Sequence, residues 1–140
     1  MKEIAEKLRK VERSLSDANG PFDLFALFLR EDSADVWDLL VAASWLNPNK
    51  LVALRDIAEK VKAELGADEL TKLSRIVIIE ESNPALAAVQ QAISIEHGLS
   101  EIQSSVFFGL MIRHAFVITS RRRPPPDQAL QHDPAAGTLV

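Results

Sequence analysis

Apolar residues recur at steps of three and four over residues 2–17, where Ile4, Leu8, Val11 and Leu15 are separated by Lys, Glu and Arg. That spacing gathers them on one side of a 3.6-residue period and predicts an amphipathic helix with one buried stripe. Asn19, Gly20 and Pro21 end it, because these residues tolerate or impose backbone angles that a helix cannot continue. The pattern then changes. Phe22 to Arg30 is an almost unbroken apolar run rich in Phe and Leu, which predicts a strand covered on both faces, at or near the middle of a sheet.

A polar connector, residues 31–35, leads into a second apolar run, Val36 to Leu46, and a short connector between two such runs predicts an antiparallel hairpin. Period-2 alternation places Trp37, Leu39, Val41, Ala43 and Trp45 on one face, and Asp38 on the other with Val36 and Leu40. Asn47 and Pro48 read as the N-cap and first residue of a helix whose stripe is Leu51, Leu54, Ala58, Val61 and Leu65, with Gly66 as its stop. A short helical segment is expected near Asp68 to Leu73, and a β-branched strand from Arg75 to Glu80. Asn83-Pro84 opens a third full helix through Leu86, Val89 and Ile93, ending at His97-Gly98. From Ser100 to Ser120 the period is two again. Ile102, Val106, Phe108, Leu110, Ile112, Phe116 and Ile118 fall on even positions, and Gly109 is a bulge or turn dividing the run.

The order α-β-β-α-β-α-β(-β) predicts an α/β (α+β) domain over residues 1–120. It should hold a single mixed β-sheet of four to five strands with two to three helices packed on it. Residues 121–140 lose all periodicity and are rich in Arg, Pro, Ala and Gly, so they are expected to form a flexible tail.

Composition narrows the function classes. The 140 residues suffice for one core, and 47% hydrophobic with 26% charged residues is ordinary for a globular domain. No cysteine is present, which removes disulfides, thiolate metal sites and cysteine nucleophiles. A net charge of −4 argues against a general nucleic-acid binder but permits a local basic patch. The first residues are charged throughout, and no apolar run approaches the ~18 residues of a membrane span. A soluble cytoplasmic protein without membrane partners is the expectation.

The densest charge feature is the acidic set Glu31, Asp32, Asp35 and Asp38, with Glu80 and Glu81 ending the third strand. Strand-end carboxylates such as Asp38 and Glu80 suit Mg²⁺, which prefers oxygen ligands, and a bound Mg²⁺ would suit phosphodiester hydrolysis. The helix-first order is similar to that of restriction-endonuclease-like folds, which pair one acid with an acid-x-Lys element. Here Glu80-Glu81-Ser82 has no lysine. Asp38 sits inside an apolar strand and calls for a partner, for which Arg30, Arg75 and Arg113 qualify, or for a wet face.

His97, between Glu96 and Gly98, suits a helix C-terminus, and His114 shares the even-position face with Ile112 and Phe116. Asp38, Glu80, His97 and His114 are thus the candidate catalytic residues, and Asp38 and Glu80 the candidate metal ligands. His114 becomes functional if Asp38 or Glu80 lies beside it. Arg113 with Arg121, Arg122 and Arg123 is the one basic concentration, a candidate contact for phosphate, RNA or an acidic partner. The bland reading is that these arginines mark where an apolar strand ends. The five separated glycines form no phosphate-binding loop, and no serine stands in a nucleophile-elbow context, so no cofactor is expected. Two tryptophans on one strand face either pack beneath helices or form an interface. The leading expectation is therefore a non-enzymatic interaction or accessory module that self-associates, with a protein partner or a second copy as its ligand. A Mg²⁺-dependent nuclease or phosphoesterase is the first alternative, and weak nucleic-acid binding through the arginines the second.

Overall fold

The computed structural model describes residues 1–30, 36–107 and 110–121. The chain runs through α1 (Lys2–Asn19), β1 (Leu24–Arg30), β2 (Trp37–Ala42), a 3₁₀ turn (Ser44–Asn49) and α2 (Lys50–Glu64). It continues through α3 (Ala67–Leu70), β3 (Leu73–Ile78), α4 (Pro84–Ala92), β4 (Ser100–Phe107) and β5 (Leu110–Ser120). The five strands form one sheet in the order β3-β2-β1-β5-β4, with β2 and β3 parallel and every other pair antiparallel. The mixed α/β architecture expected from the pattern is the one observed.

β1 is the central strand because its run is apolar on both faces, and both faces find a cover. Phe25, Leu27 and Leu29 pack toward α1 and α2, while Leu24, Ala26 and Phe28 pack toward α4. Helix α1 buries Ile4, Ala5, Leu8, Val11 and Leu15 on the first face. Each large apolar side chain so covered contributes about 1.5–3 kcal/mol, which is why a helix this charged elsewhere stays docked. Leu86 and Val89 of α4 cover part of the opposite face. Trp37 is buried in the α1-side core, and Trp45 packs against it and meets Phe22 edge-on at 5.1 Å. The aromatic face of the second apolar run lies beneath helices.

Several boundaries differ from the pattern, each for a local reason. The second run is not one strand to Leu46: after Ala42 it tightens into the 3₁₀ turn, and α2 begins at Lys50. Its N-cap is Asn49, whose side-chain oxygen accepts from the Val52 N–H, where Asn47 was expected. Of the expected stripe Val61 and Leu65 are buried, while nearer the start of α2 the residues that meet the sheet are Ala53 and Ile57, one position before Leu54 and Ala58. Helix α4 ends at Ala92, five residues short of His97. Strand β3 begins at Leu73 and ends at Ile78, two residues ahead of the expectation at each end. The even positions of the last run do not share one face. The hairpin register pairs Glu101 with Phe116 and Ile102 with Ala115, so Ile102 lies with the α4-side core and Phe116 with the α1-side core. A hairpin whose paired positions sum to an odd number inverts parity between its strands, and alternation within one sequence run cannot reveal that. Glu31, Asp32, Asp35, Phe108, Gly109, Arg122, Arg123 and the rest of the tail lie outside the described residues.

Candidate functional site

The apolar stripe of α1 has one polar member. Glu12 stands four residues after Leu8 and three before Leu15, and it is completely buried with them. A carboxylate there costs several kcal/mol unless donors meet it. Two do so, from distant parts of the chain.

The first donor is placed by a β-bulge. Along the β1–β5 ladder Phe25 pairs with Thr119 but Ala26 pairs with Val117, so Ile118 is the extra residue. A bulge re-aims the side chain beside it. Both Ile118 and Thr119 consequently meet the α1 side, Ile118 in the apolar core and Thr119 Oγ1 donating to Glu12 Oε2 at 2.8 Å. The second donor comes from the link between α4 and β4. That link is tied back to β5 by the Ile95–Ser120 bridge and by the Gly98 N–H donating to the Ile118 carbonyl at 3.0 Å. Between these ties His97 adopts a positive φ of 54°. That left-handed backbone is uncommon for a residue with a side chain, and it turns the imidazole under α1. His97 Nδ1 lies 2.7 Å from Glu12 Oε1.

The three residues close a ring. The His97 backbone N–H donates to Thr119 Oγ1 at 3.1 Å, so that hydroxyl must direct its own proton to Glu12, and the other Glu12 oxygen faces Nδ1. A carboxylate can only accept, which makes Nδ1 the protonated nitrogen and leaves Nε2 on the outer side of the ring. Arg9 clamps the same segment from α1, with Nη2 donating to the His97 carbonyl at 3.1 Å and Nη1 paired to Glu6 at 2.7 Å. Outside lies a groove of about 570 Å³ lined by Glu6, Arg9, Lys10, Arg13, Asp17 and His97, with Ser14 completing the wall. Such an arrangement can fix one imidazole tautomer and present the opposite nitrogen to a ligand or a proton.

The four candidate catalytic residues do not meet. Asp38 is buried on the α4-side face and is bonded by Arg75, whose Nε and Nη2 each lie 3.4 Å from Oδ2. Arg75, one of the three arginines expected beside it, is observed there. Glu80 follows the far end of β3, five residues beyond the level of Asp38, or about 16 Å at strand rise, and it pairs with Lys50. His114 lies on the face opposite Asp38, stacked near Trp37 at 5.3 Å and Phe116 at 4.8 Å. Its carboxylate is neither Asp38 nor Glu80. It is Glu101 of the neighbouring strand, at 2.6 Å from Nε2, and this hydrogen bond holds the Glu101 carboxyl below the usual glutamate range. His97 is at the other end of β5, beside Thr119.

Among the described residues no cluster of three or more His, Asp or Glu side chains is arranged to hold a metal ion, and no helix is long and apolar enough to cross a membrane. Arg113 is exposed beside His114 in β5. Arg121 is bound to the fold, donating from Nε to the Phe22 carbonyl at 3.0 Å and lying 3.6 Å from Glu96.

Sequence reasoning overlooked Glu12, Thr119 and Glu101. Glu12 had a legible signal, because an acidic residue occupied a stripe position, four after Leu8, where an apolar one was due. Thr119 had none: its orientation comes from a bulge that depends on strand pairing. No family model matches the chain, and no curated protein or solved structure matches it significantly.

Proposed function

We propose that the protein is a cytoplasmic interaction module that associates with a second copy of itself along the β3 edge of the sheet. One observation carries this reading: α2 has two adjacent apolar stripes and the sheet covers only one. Ala53, Ile57 and Val61 are buried against the strands, whereas Leu51 is 76% exposed and Val52 49% exposed, large apolar side chains left in water. Leu54 and Ala58 continue from Leu51 down an open groove of about 510 Å³ whose other wall is Leu70, Leu73 and Ile76. The groove runs beside β3, an edge strand in which half the residues are β-branched, with one row of backbone groups unpaired by the sheet.

The edge strand itself has basic residues at its start and acidic ones after its end, and a second copy offers the same pair reversed. Lys72 and Arg75 stand at the start of β3, with Asp68 and Glu69 of α3 ahead of them, and Glu80 and Glu81 follow its end. α2 runs back over the parallel β2–β3 pair, so Leu51 stands near Glu80, as the Lys50–Glu80 pair attests. A two-fold axis through the edge sets antiparallel strands side by side, each basic end against the other's acidic end and each Leu51 against the other's groove.

Sedimentation equilibrium of the full chain tests this. A dimer that Leu51→Glu weakens by about tenfold or more, roughly 1.4 kcal/mol, is the expected result. A monomer at the highest attainable concentration, or a dimer indifferent to Leu51→Glu, overturns it. Leu51 is exposed in the monomer, so the variant folds and the outcome reads association alone.

A further inference from the structure

The groove outside the Glu12–His97–Thr119 ring is independent of the β3 edge, and its chemistry points to a ligand. We infer that it binds an oxyanion of the phosphate class, held by Lys10, Arg13 and the Nε2 face of His97.

The observations converge on that chemistry. Lys10 and Arg13 are exposed, lie three apart on α1 and so share one face, and enter no ion pair among the described residues. Arg9 is different: its guanidinium is already held by Glu6 and by the His97 carbonyl, and its Nε is a buried donor without a partner among the described residues. The Ser14 hydroxyl adds a neutral donor on the same wall. Three cations thus line a wall carrying two carboxylates, Glu6 and Asp17, of which Glu6 is engaged by Arg9. The groove lining carries one net positive charge, with the Glu12 and Glu96 carboxylates beside His97, in a chain whose net charge is −4.

His97, whose outward Nε2 is an acceptor in the neutral tautomer, joins the donor set when its ring is doubly protonated. Its ring is fixed from behind by Glu12, its backbone is held by Thr119 and Arg9, and its side chain is 27% exposed into the groove. A strained φ retained by three separate anchors is the kind of feature that persists where an imidazole must be aimed. The charged groups facing it are Glu12 and Arg9 from α1, and Glu96, whose Oε2 lies 3.9 Å from Nε2 and 3.6 Å from Arg121 Nε. Glu96 Oε2 is shared between Nε2 and Arg121, so an incoming anion competes with this carboxylate for Nε2. When the imidazole is doubly protonated, Nε2–H donates to the anion while Nδ1–H remains on Glu12. The volume exceeds that of a bare phosphate and accommodates a phosphate monoester with a small organic group.

Titration of the full-length protein with inorganic phosphate, followed by NMR at the His97 Cε1–Hε1 and Arg13 Nε–Hε signals, tests the site. Saturable shifts at roughly millimolar affinity are expected. O-phosphoserine, as a monoester probe, should bind at least as tightly, and sodium chloride at matched ionic strength should give no saturable response. In Lys10→Gln/Arg13→Gln the affinity should fall about tenfold or more, with the melting temperature unchanged because both side chains are exposed. No saturable shift at either signal, an equal response to chloride, or undiminished phosphate affinity in the double variant would each refute the assignment. Tighter binding of inorganic phosphate than of the monoester would refute the part concerning an organic group.

Discussion

His97 Nδ1 and Glu12 Oε1 stand 2.7 Å apart although 85 residues of chain separate them, and the carboxylate they share with Thr119 is fully buried. The pair joins the first helix to the last strand and to the link between α4 and β4. Its strength and its geometry can be measured separately.

Removing Glu12 leaves two donors stranded in the core. Glu12→Ala should destabilise the fold by about 3 kcal/mol or more, as expected for breaking a buried charged contact. Thr119→Val, which keeps shape and deletes one hydroxyl, should cost about 1–3 kcal/mol. In a double-mutant cycle the loss in the double variant should fall short of the sum of the two single losses, because the second substitution finds its partner already gone. Urea unfolding with unchanged m-values is the measurement, and strict additivity would show that the ring does not act as a unit.

The backbone angle at His97 makes a separate prediction. Asparagine tolerates φ near 54° better than alanine does, so His97→Asn should be more stable than His97→Ala by roughly 1 kcal/mol, although both lose the imidazole. Thermal unfolding of the two variants decides the point.

His114 and Glu101 form the exposed counterpart of the buried pair. The Glu101 carboxyl titrates below its ordinary value of 4.5, chiefly through the His114 hydrogen bond. A carboxyl whose folded pKa is depressed contributes stability above its unfolded pKa and loses it as pH falls through the folded one. The Glu101 side-chain ¹³C titration should therefore show a midpoint below 4.5 that moves up in His114→Ala. An unmoved midpoint would assign the depression to other neighbours.

Lys7 and Glu69 bind α1 to the short α3. Glu69 Oε1 accepts from Lys7 Nζ at 2.7 Å and from the Gly66 N–H at 2.9 Å, which lowers the Glu69 pKa and raises that of Lys7. The glutamate contribution vanishes as pH falls below its ordinary 4.5, and the lysine contribution vanishes as pH rises past its ordinary 10.5. Between those limits Glu69→Gln should speed amide exchange across residues 66–70 and leave exchange in β1 and β5 unchanged.

The sequence by itself determined the layered α/β plan. An apolar run without alternation can be stable only where both faces are covered, so Phe22 to Arg30 had to be interior, and it became the central β1. The α1 stripe was equally explicit, because a 3.6-residue period leaves few other ways to bury Ile4, Leu8, Val11 and Leu15. On α2 the spacing predicted the stripe Leu51, Leu54, Ala58, Val61 and Leu65; the sheet took Ala53, Ile57 and Val61 and left Leu51 outside. Tertiary structure alone decided which charged groups meet. It separated Asp38 from Glu80 by the length of a strand, matched His114 to Glu101 through the hairpin register, and brought Thr119 to Glu12 through a bulge. Burial follows the local period of a chain, and so it can be read from the order of residues. Polar contacts depend on the register and pairing of distant segments, where a shift of one residue exchanges every partner.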